Sequence, residues 1–165
     1  MKTPICDICA QSGALCSGCR QRLSEGKVTD LDVQVSGLLW KINEKHNISE
    51  AKFIKAVDLG RVILILTDGD VGILIGREGK VVSELSHALG KKVRIAEHSG
   101  DVRKTLEDIL MPVKLIGINK VFHEGREMQK VRLPRADMHR LPIDIPTLEQ
   151  VLKSFLNSDV KVSFE

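Results

Sequence analysis

Aromatic side chains are nearly absent from this chain of 165 residues, which holds four phenylalanines, one tryptophan and no tyrosine, 3% in all. That scarcity counts against a sheet surface that stacks bases on aromatic rings, and against an aromatic-lined oligonucleotide groove. Long apolar runs are missing too. The longest, Val62 to Leu66, is far too short to span a bilayer. No charged-then-apolar leader opens the chain, since Met1-Lys2-Thr3-Pro4 leads almost directly into a cysteine pair, so a cytoplasmic protein without membrane contact is expected. Charge of one sign is also lacking. The net charge of +3 permits binding to a polyanion without demanding it, so any electrostatic recognition must come from local arrangement. No P-loop, no HEXXH and no assignable Ser-His-Asp or Cys-His set occurs, and the carboxylates are scattered. A protein that is not an enzyme and takes no small-molecule substrate is therefore expected. An enzyme working through thiols or histidines is the competing reading.

What is present is organised. Apolar content is ordinary at 42%, and the length suffices for one medium domain or two small ones. All four cysteines lie in one short segment, as Cys6-Asp7-Ile8-Cys9 and Cys16-Ser17-Gly18-Cys19. Two residues between paired cysteines let both sulfurs converge on one ion, with Gly18 easing the turn. Two such pairs supply Cys6, Cys9, Cys16 and Cys19 as the ligands of a closed tetrahedral zinc site. With no open position, the single Zn2+ is expected to be structural and to supply the folding energy of segment 1–28. A disulfide pair is opposed by the lack of a secretory signal. A redox Cys-X-X-Cys usually opens a helix in a βαβ unit, and no strand precedes this one. Iron, alone or in a cluster, is the remaining rival. Arg20, Arg22 and Lys27 read as a solvated linker.

Thr29 with Asp32 forms a capping box that opens a helix from about 31 to 46, on which Leu31, Val35, Leu38, Leu39 and Ile42 make one apolar face. Trp40 sits beside that stripe and is assigned to core packing over base stacking. Lys52 to Val57 and Arg61 to Thr67 read as strands about a turn at Leu59-Gly60, the second covered on both faces. Asp68-Gly69-Asp70 then leads to Val71-Gly72-Ile73-Leu74-Ile75-Gly76-Arg77-Glu78-Gly79-Lys80-Val81-Val82, a short apolar helix, a turn with two glycines and a second helix. Val81, Val82, Leu85, Ala88 and Leu89 give that second helix its apolar side, Gly90 ends it, and Lys92 to Glu97 is a third strand. A turn between helix ends exposes unpaired amides, and glycine lets another backbone come close, which suits a phosphate chain.

The GXXG loop in this order of elements resembles a type II KH domain (αββααβ), over residues 31 to about 98, and specifically the KH modules of NusA-like transcription factors, archaeal ones included. The resemblance implies a single-stranded RNA binder. Gly76 and Gly79 would admit the sugar-phosphate backbone, with Arg77 and Lys80 adding charge. Ile73, Ile75, Val82 and Leu85 would form an apolar floor, and the strand near Arg94 and Ile95 would read base edges. Glu78 departs from the usual basic or small loop residue and lowers the expected affinity, with Arg77 beside it as an offset. Lys91, Lys92 and Arg94 read equally as a solvated strand end.

The last third repeats the order without the loop. Asp101 to Leu110 reads as a helix closed by Met111-Pro112; Val113 to Phe122 and Glu127 to Leu133 read as strands about Glu124-Gly125. Thr147 with Gln150 is read as the cap of a helix, and Val160 to Phe164 as a closing strand. Pro134 to Pro146 stands where the short helix and glycine loop would be. The expected architecture is thus α+β, with a zinc-binding segment at 1–28, a type II KH domain at 29–99 and a degenerate KH-like unit lacking GXXG at 100–165. The expected partners are single-stranded RNA, with RNA polymerase or the ribosome as candidates, in transcription elongation, termination or RNA processing. A single-stranded DNA binder and an adaptor docking through the zinc segment are the alternatives.

Overall fold

The computed structural model describes residues 1–98, 101–141, 143–156 and 158–165; the expected boundary between 99 and 100 lies outside them, as does Pro142. The chain divides into two compact units, Met1–Asp58 with Val62–Ser99 and Leu59–Arg61 with Gly100–Glu165. The first contains α1 (Asp7–Ser12), α2 (Ser17–Ser24), α3 (Asp30–Lys45), β1 (Phe53–Asp58), β2 (Val62–Thr67), α4 (Val71–Ile75), a tight helical turn at Arg77–Gly79, α5 (Lys80–Leu89) and β3 (Lys92–Glu97).

Helix α3 starts where its cap dictates. The Thr29 hydroxyl accepts from the Asp32 amide at 3.1 Å, and the Asp32 carboxylate accepts from the Thr29 amide at 3.0 Å. The other Asp32 oxygen accepts from the Ala56 amide at 2.7 Å, so one buried carboxylate both caps the helix and ties it to β1. Val35, Leu39 and Ile42 pack with Ile63, Ile65, Leu74, Val81, Leu85 and Val93. Strand β2 is central, antiparallel to β1 and parallel to β3. Ile63, Leu64, Ile65 and Leu66 are each at most 3% exposed, as a continuous apolar strand requires.

Helix α3 also has a second contact flank. Val33 and Trp40 pack against Ile5, Cys9, Ala10, Cys19 and Val28. Gly37 lies on the same stripe, where a Cβ would come 3.7 Å from the Ala10 carbonyl. Trp40 is thus a packing residue, as expected. The N-terminal segment is held to the sheet as well: the Lys2 amide donates to Ala51 O at 2.9 Å and Lys2 O accepts from the Phe53 amide at 2.9 Å. The expected solvated linker is corrected here. Its first part is helical, in α2, and Val28 is 4% exposed.

The second unit contains α6 (Val102–Leu110), β4 (Gly117–His123), β5 (Arg126–Leu133), a tight helical stretch at Arg135–Arg140, α7 (Ile145–Leu156) and β6 (Asp159–Phe164). Its sheet order is β4-β5-β6, antiparallel then parallel, the same arrangement as the first sheet. The fold is mixed α+β with an N-terminal cysteine cluster, and both three-stranded sheets fit KH-like units. Two sequence readings are corrected. Strand β4 begins at Gly117, because Val113 and Leu115 bury themselves ahead of it as core residues, 2% and 7% exposed. Helix α7 begins at Ile145 instead of Thr147, because the Asp144 carboxylate accepts from both the Thr147 amide at 3.2 Å and its hydroxyl at 2.9 Å. Pro146 then falls in the first helical turn, where a missing N–H costs nothing.

Candidate nucleic-acid interface and metal centre

The glycine turn is built from both ends. Asp70 caps α4 by accepting the Gly72 amide at 2.8 Å, and the Gly76 amide closes that helix on Gly72 O at 2.9 Å. Gly76 has φ 78 and ψ 170, a region essentially confined to glycine. Glu78 follows at φ 57 and Gly79 at φ 74, after which α5 begins. The two glycine amides are not the bare ones, since Gly79 N–H donates to Gly76 O at 3.1 Å. No hydrogen bond is made by the amides of Arg77 and Glu78 among the described residues, and both side chains are exposed. Two successive free N–H groups beside the N-terminus of α5 make a site of partial positive charge. Lys80 is exposed next to it. A cavity of about 480 Å³ adjoins the turn, lined in part by His46, Ile73, Gly76, Arg77 and Lys80.

The structure divides the expected contact residues. Ile75 is 37% exposed and Val82 half-buried, with Val82 Cγ1 3.8 Å from where a Cβ on Gly79 would sit. Ile73 is half-buried and leans on the core. Leu85 is corrected: it is 0% exposed and supports the floor from beneath without being part of its surface. Arg94 and Ile95 are corrected as a pair. They are consecutive in β3, so their side chains leave opposite faces of the sheet, Ile95 toward the helices and Arg94 with Leu64 on the other side. One groove cannot use both. Lys91 is committed elsewhere, its ammonium 2.7 Å from the Asp58 carboxylate.

The four cysteines converge. Their sulfurs all lie within 4.8 Å of one another, with Cys6 and Cys9 at 3.2 Å and Cys6 and Cys16 at 4.0 Å, and none forms a disulfide. A tetrahedral ion with bonds of about 2.3 Å places its sulfurs roughly 3.8 Å apart, so the donor set fits one such ion. Each pair opens a helix, with Cys6 preceding α1 and Cys16 preceding α2, and Gly18 is an ordinary residue of α2 and not the turn expected of it. The hydrogen bonds cross between the pairs: Cys16 N–H donates to Cys9 Sγ at 3.1 Å and Cys6 N–H to Cys19 Sγ at 3.5 Å. Arg22 donates to Cys19 Sγ at 3.1 Å and to Pro4 O at 2.8 Å, so it braces the cluster. The Cys19 amide, with the Cys9 thiol, pulls the Cys16 thiol down to about 6. On Cys9 the Cys16 amide acts downward, but the Cys6 thiol and burial prevail and push it up to about 12. The Cys6 amide, with Arg22, lowers the Cys19 thiol. Four converging sulfurs suit a metal ion, where redox chemistry would need only two.

Sequence reasoning placed Arg22 in a linker and missed its contact with the cluster, and it missed Val33 and Gly37 as companions of Trp40 on a second flank of α3; the four-then-three spacing of Val33, Gly37 and Trp40 was the available signal. No helix among the described residues is long and apolar enough to cross a membrane.

Known proteins supply an independent comparison. Residues 42–121 match the family model of the KH domain. A probable transcription termination protein NusA from Methanocaldococcus jannaschii is 44% identical over 55 residues, 33% of this chain and 30% of the relative. The protein of the same description from Methanococcus vannielii is 29% identical over 55 residues, 33% of this chain and 32% of the relative. The matched stretch spans less than a third of either relative. The crystal structure of APE1850 superposes with a TM-score of 0.54 at 22% identity, covering 77% of this chain and 96% of that one, a likeness of fold alone.

Proposed function

We propose that the KH domain of this protein binds single-stranded RNA through the turn between α4 and α5, in a NusA-like role in transcription elongation, termination or RNA processing. The observation that carries the reading is the pair of free amides at Arg77 and Glu78, raised between two positive-φ glycines and flanked by exposed cationic side chains. Phosphate oxygens would accept from those amides, Arg77 and Lys80 would add charge, and Ile75 and Val82 would carry the bases. Gly76, Glu78 and Gly79 complete the loop; Ile73 stands behind it. Ile95 lies at the partly buried edge of the same face. The protein acts without catalysis, in the cytoplasm. Three functional segments follow, 1–28, 29–99 and 100–165, the first organised by one Zn2+ on Cys6, Cys9, Cys16 and Cys19. With all four positions filled by thiolates, the ion holds the segment together and offers no site for substrate.

The test replaces Arg77 and Glu78 together with aspartates, Arg77→Asp and Glu78→Asp. Affinity for a single-stranded RNA falls about tenfold or more, because the Arg77 cation gives way to a carboxylate beside the one already carried at position 78, while circular dichroism stays unchanged. Unchanged affinity with the fold retained removes the loop from the mechanism. A parallel titration with single-stranded DNA decides between the two polymers. A second reading rests on Ile8, which is 77% exposed between two of the cysteines and would suit docking on a protein of the polymerase or ribosome.

A further inference from the structure

The cavity beside the glycine turn has no part in the grip on phosphate described above. It belongs wholly to the first compact unit, between the segment that follows α3, the start of α4 and the start of α5. Its volume of about 480 Å³ lies within the range of small-ligand pockets and has room for one nucleobase with its sugar. Ile48 and Val81 close its bottom, each 2% exposed, and half-buried Ile73 offers an apolar wall. Gly72 adds no side chain to crowd it.

His46 and Asn47 supply its polar edge. The His46 ring is held by Glu84, with Nε2 2.9 Å from a carboxylate oxygen. A carboxylate only accepts, so Nε2 carries the proton there, and Nδ1 is left without a partner among the described residues. Asn47 Oδ1 accepts from the Ser49 amide at 3.3 Å, which leaves both protons of the Asn47 side-chain amide unspent. No carboxylate lines the cavity, and Glu84 close by is taken up by His46. Arg77 and Lys80 do line it, both exposed and neither paired with a carboxylate among the described residues. The same two cations flank the free amides of the turn, so a polymer gripped there by its phosphates passes the mouth of the cavity.

We propose that this cavity receives the base of one unpaired nucleotide beyond those held along the glycine turn, with His46 and Asn47 bonding its edge and Ile73 against its face. It rests on the RNA-binding reading above. The lining selects a base over simpler ligands. A lone phosphate gains nothing from an apolar wall, and a wholly apolar ligand would strand the ring nitrogen and the side-chain amide. A nucleotide presents a flat apolar face, a hydrogen-bonding edge and an attached anion, which match the wall, the two polar side chains and the two cations in turn. Contacts to a base edge specify sequence where contacts to phosphate only position the strand, so His46 and Asn47 are specificity residues.

A glycine loop of this kind clamps about four nucleotides, so the experiment compares two RNA hexamers of equal length and charge. One carries all its bases; in the other the first and last nucleotides are abasic. Each is made once with adenine and once with uracil, and affinity is measured for the full wild-type chain, His46→Ala and Asn47→Asp. Asn47→Asp keeps the acceptor for the Ser49 amide, and a partly exposed pair such as His46 with Glu84 adds little stability, so both variants are expected to unfold near the wild-type temperature. The wild type is expected to bind the complete hexamer roughly tenfold tighter in at least one base series, the effect of one more base held. Both variants are expected to bind the two hexamers alike to within about threefold, the number of ways six bases can occupy four places. A wild type that does not distinguish the hexamers, or a variant that keeps the tenfold difference, overturns the cavity and leaves the loop reading standing. A wild type that binds neither RNA overturns the loop reading and the cavity with it. If His46→Ala unfolds early, Asn47→Asp alone decides.

Discussion

At Gly76 two requirements fall on one atom. Its φ of 78 with ψ 170 suits glycine, and a Cβ there would lie 2.5 Å from Val81 Cγ2 and 2.9 Å from the Val81 amide nitrogen. Gly79, at φ 74, meets nothing closer than Val82 Cγ1 at 3.8 Å. The two glycines of the motif therefore do different work: one permits close packing, the other permits a backbone turn with open space above it. Gly76→Ala is expected to cost about 3 kcal/mol, combining backbone strain with a clash against backbone that cannot step aside. Gly79→Ala is expected to cost about 1 kcal/mol, the left-handed term alone. Urea unfolding of the two variants checks this, and equal costs would mean that Val81 relaxes. From the sequence both positions read alike, since spacing shows that a glycine is present but not what crowds it.

Among the elements, α7 shows how a local competition moves a boundary. Thr147 and Gln150 have the spacing of a capping box, yet Asp144 captures the Thr147 amide and hydroxyl and starts the helix earlier. The Thr147 amide, then its hydroxyl, holds the Asp144 carboxyl below its ordinary range. A carboxyl with a depressed folded value stabilises the fold above its unfolded pKa of about 3.9, and that contribution disappears as pH falls through the depressed value. Asp144→Ala is accordingly expected to lower the unfolding midpoint at pH 7, with the gap to the wild type closing in acid. A gap that stays constant down to pH 2 would show that charge has no part in the cap. Helix α3 was more legible: Thr29, Asp32 and the Val35–Leu39–Ile42 stripe all appear in the sequence and all hold. Its second flank was overlooked because one stripe already accounted for a helix on a sheet.

For the whole molecule, the four-cysteine cluster is the part placed to borrow its stability from a bound metal ion. Segment 1–28 has a core of only Ile5, Cys9, Ala10, Cys19 and Val28, with Leu15, Val33 and Trp40 packed against it. Structural zinc contributes on the order of 10 kcal/mol to small domains, more than so few apolar residues supply. Removing the metal with a chelator is expected to expose the amides of α1 and α2 to hydrogen exchange while β4, β5 and β6 keep their protection. Continued protection of α1 and α2 after removal would show that packing on α3 suffices. The local features were set by the sequence alone: four cysteines in two pairs, the reciprocal cap, the uninterrupted apolar strand and the two-glycine turn. These follow from spacings of two to four residues, which the geometry of one helix or strand converts directly into position. Only the tertiary structure decided which loop amides stay free, that Leu85 lies beneath the surface, and that Arg94 and Ile95 part company. Those outcomes depend on the register between segments distant in the chain, and register comes from packing the whole sheet, which no short spacing encodes.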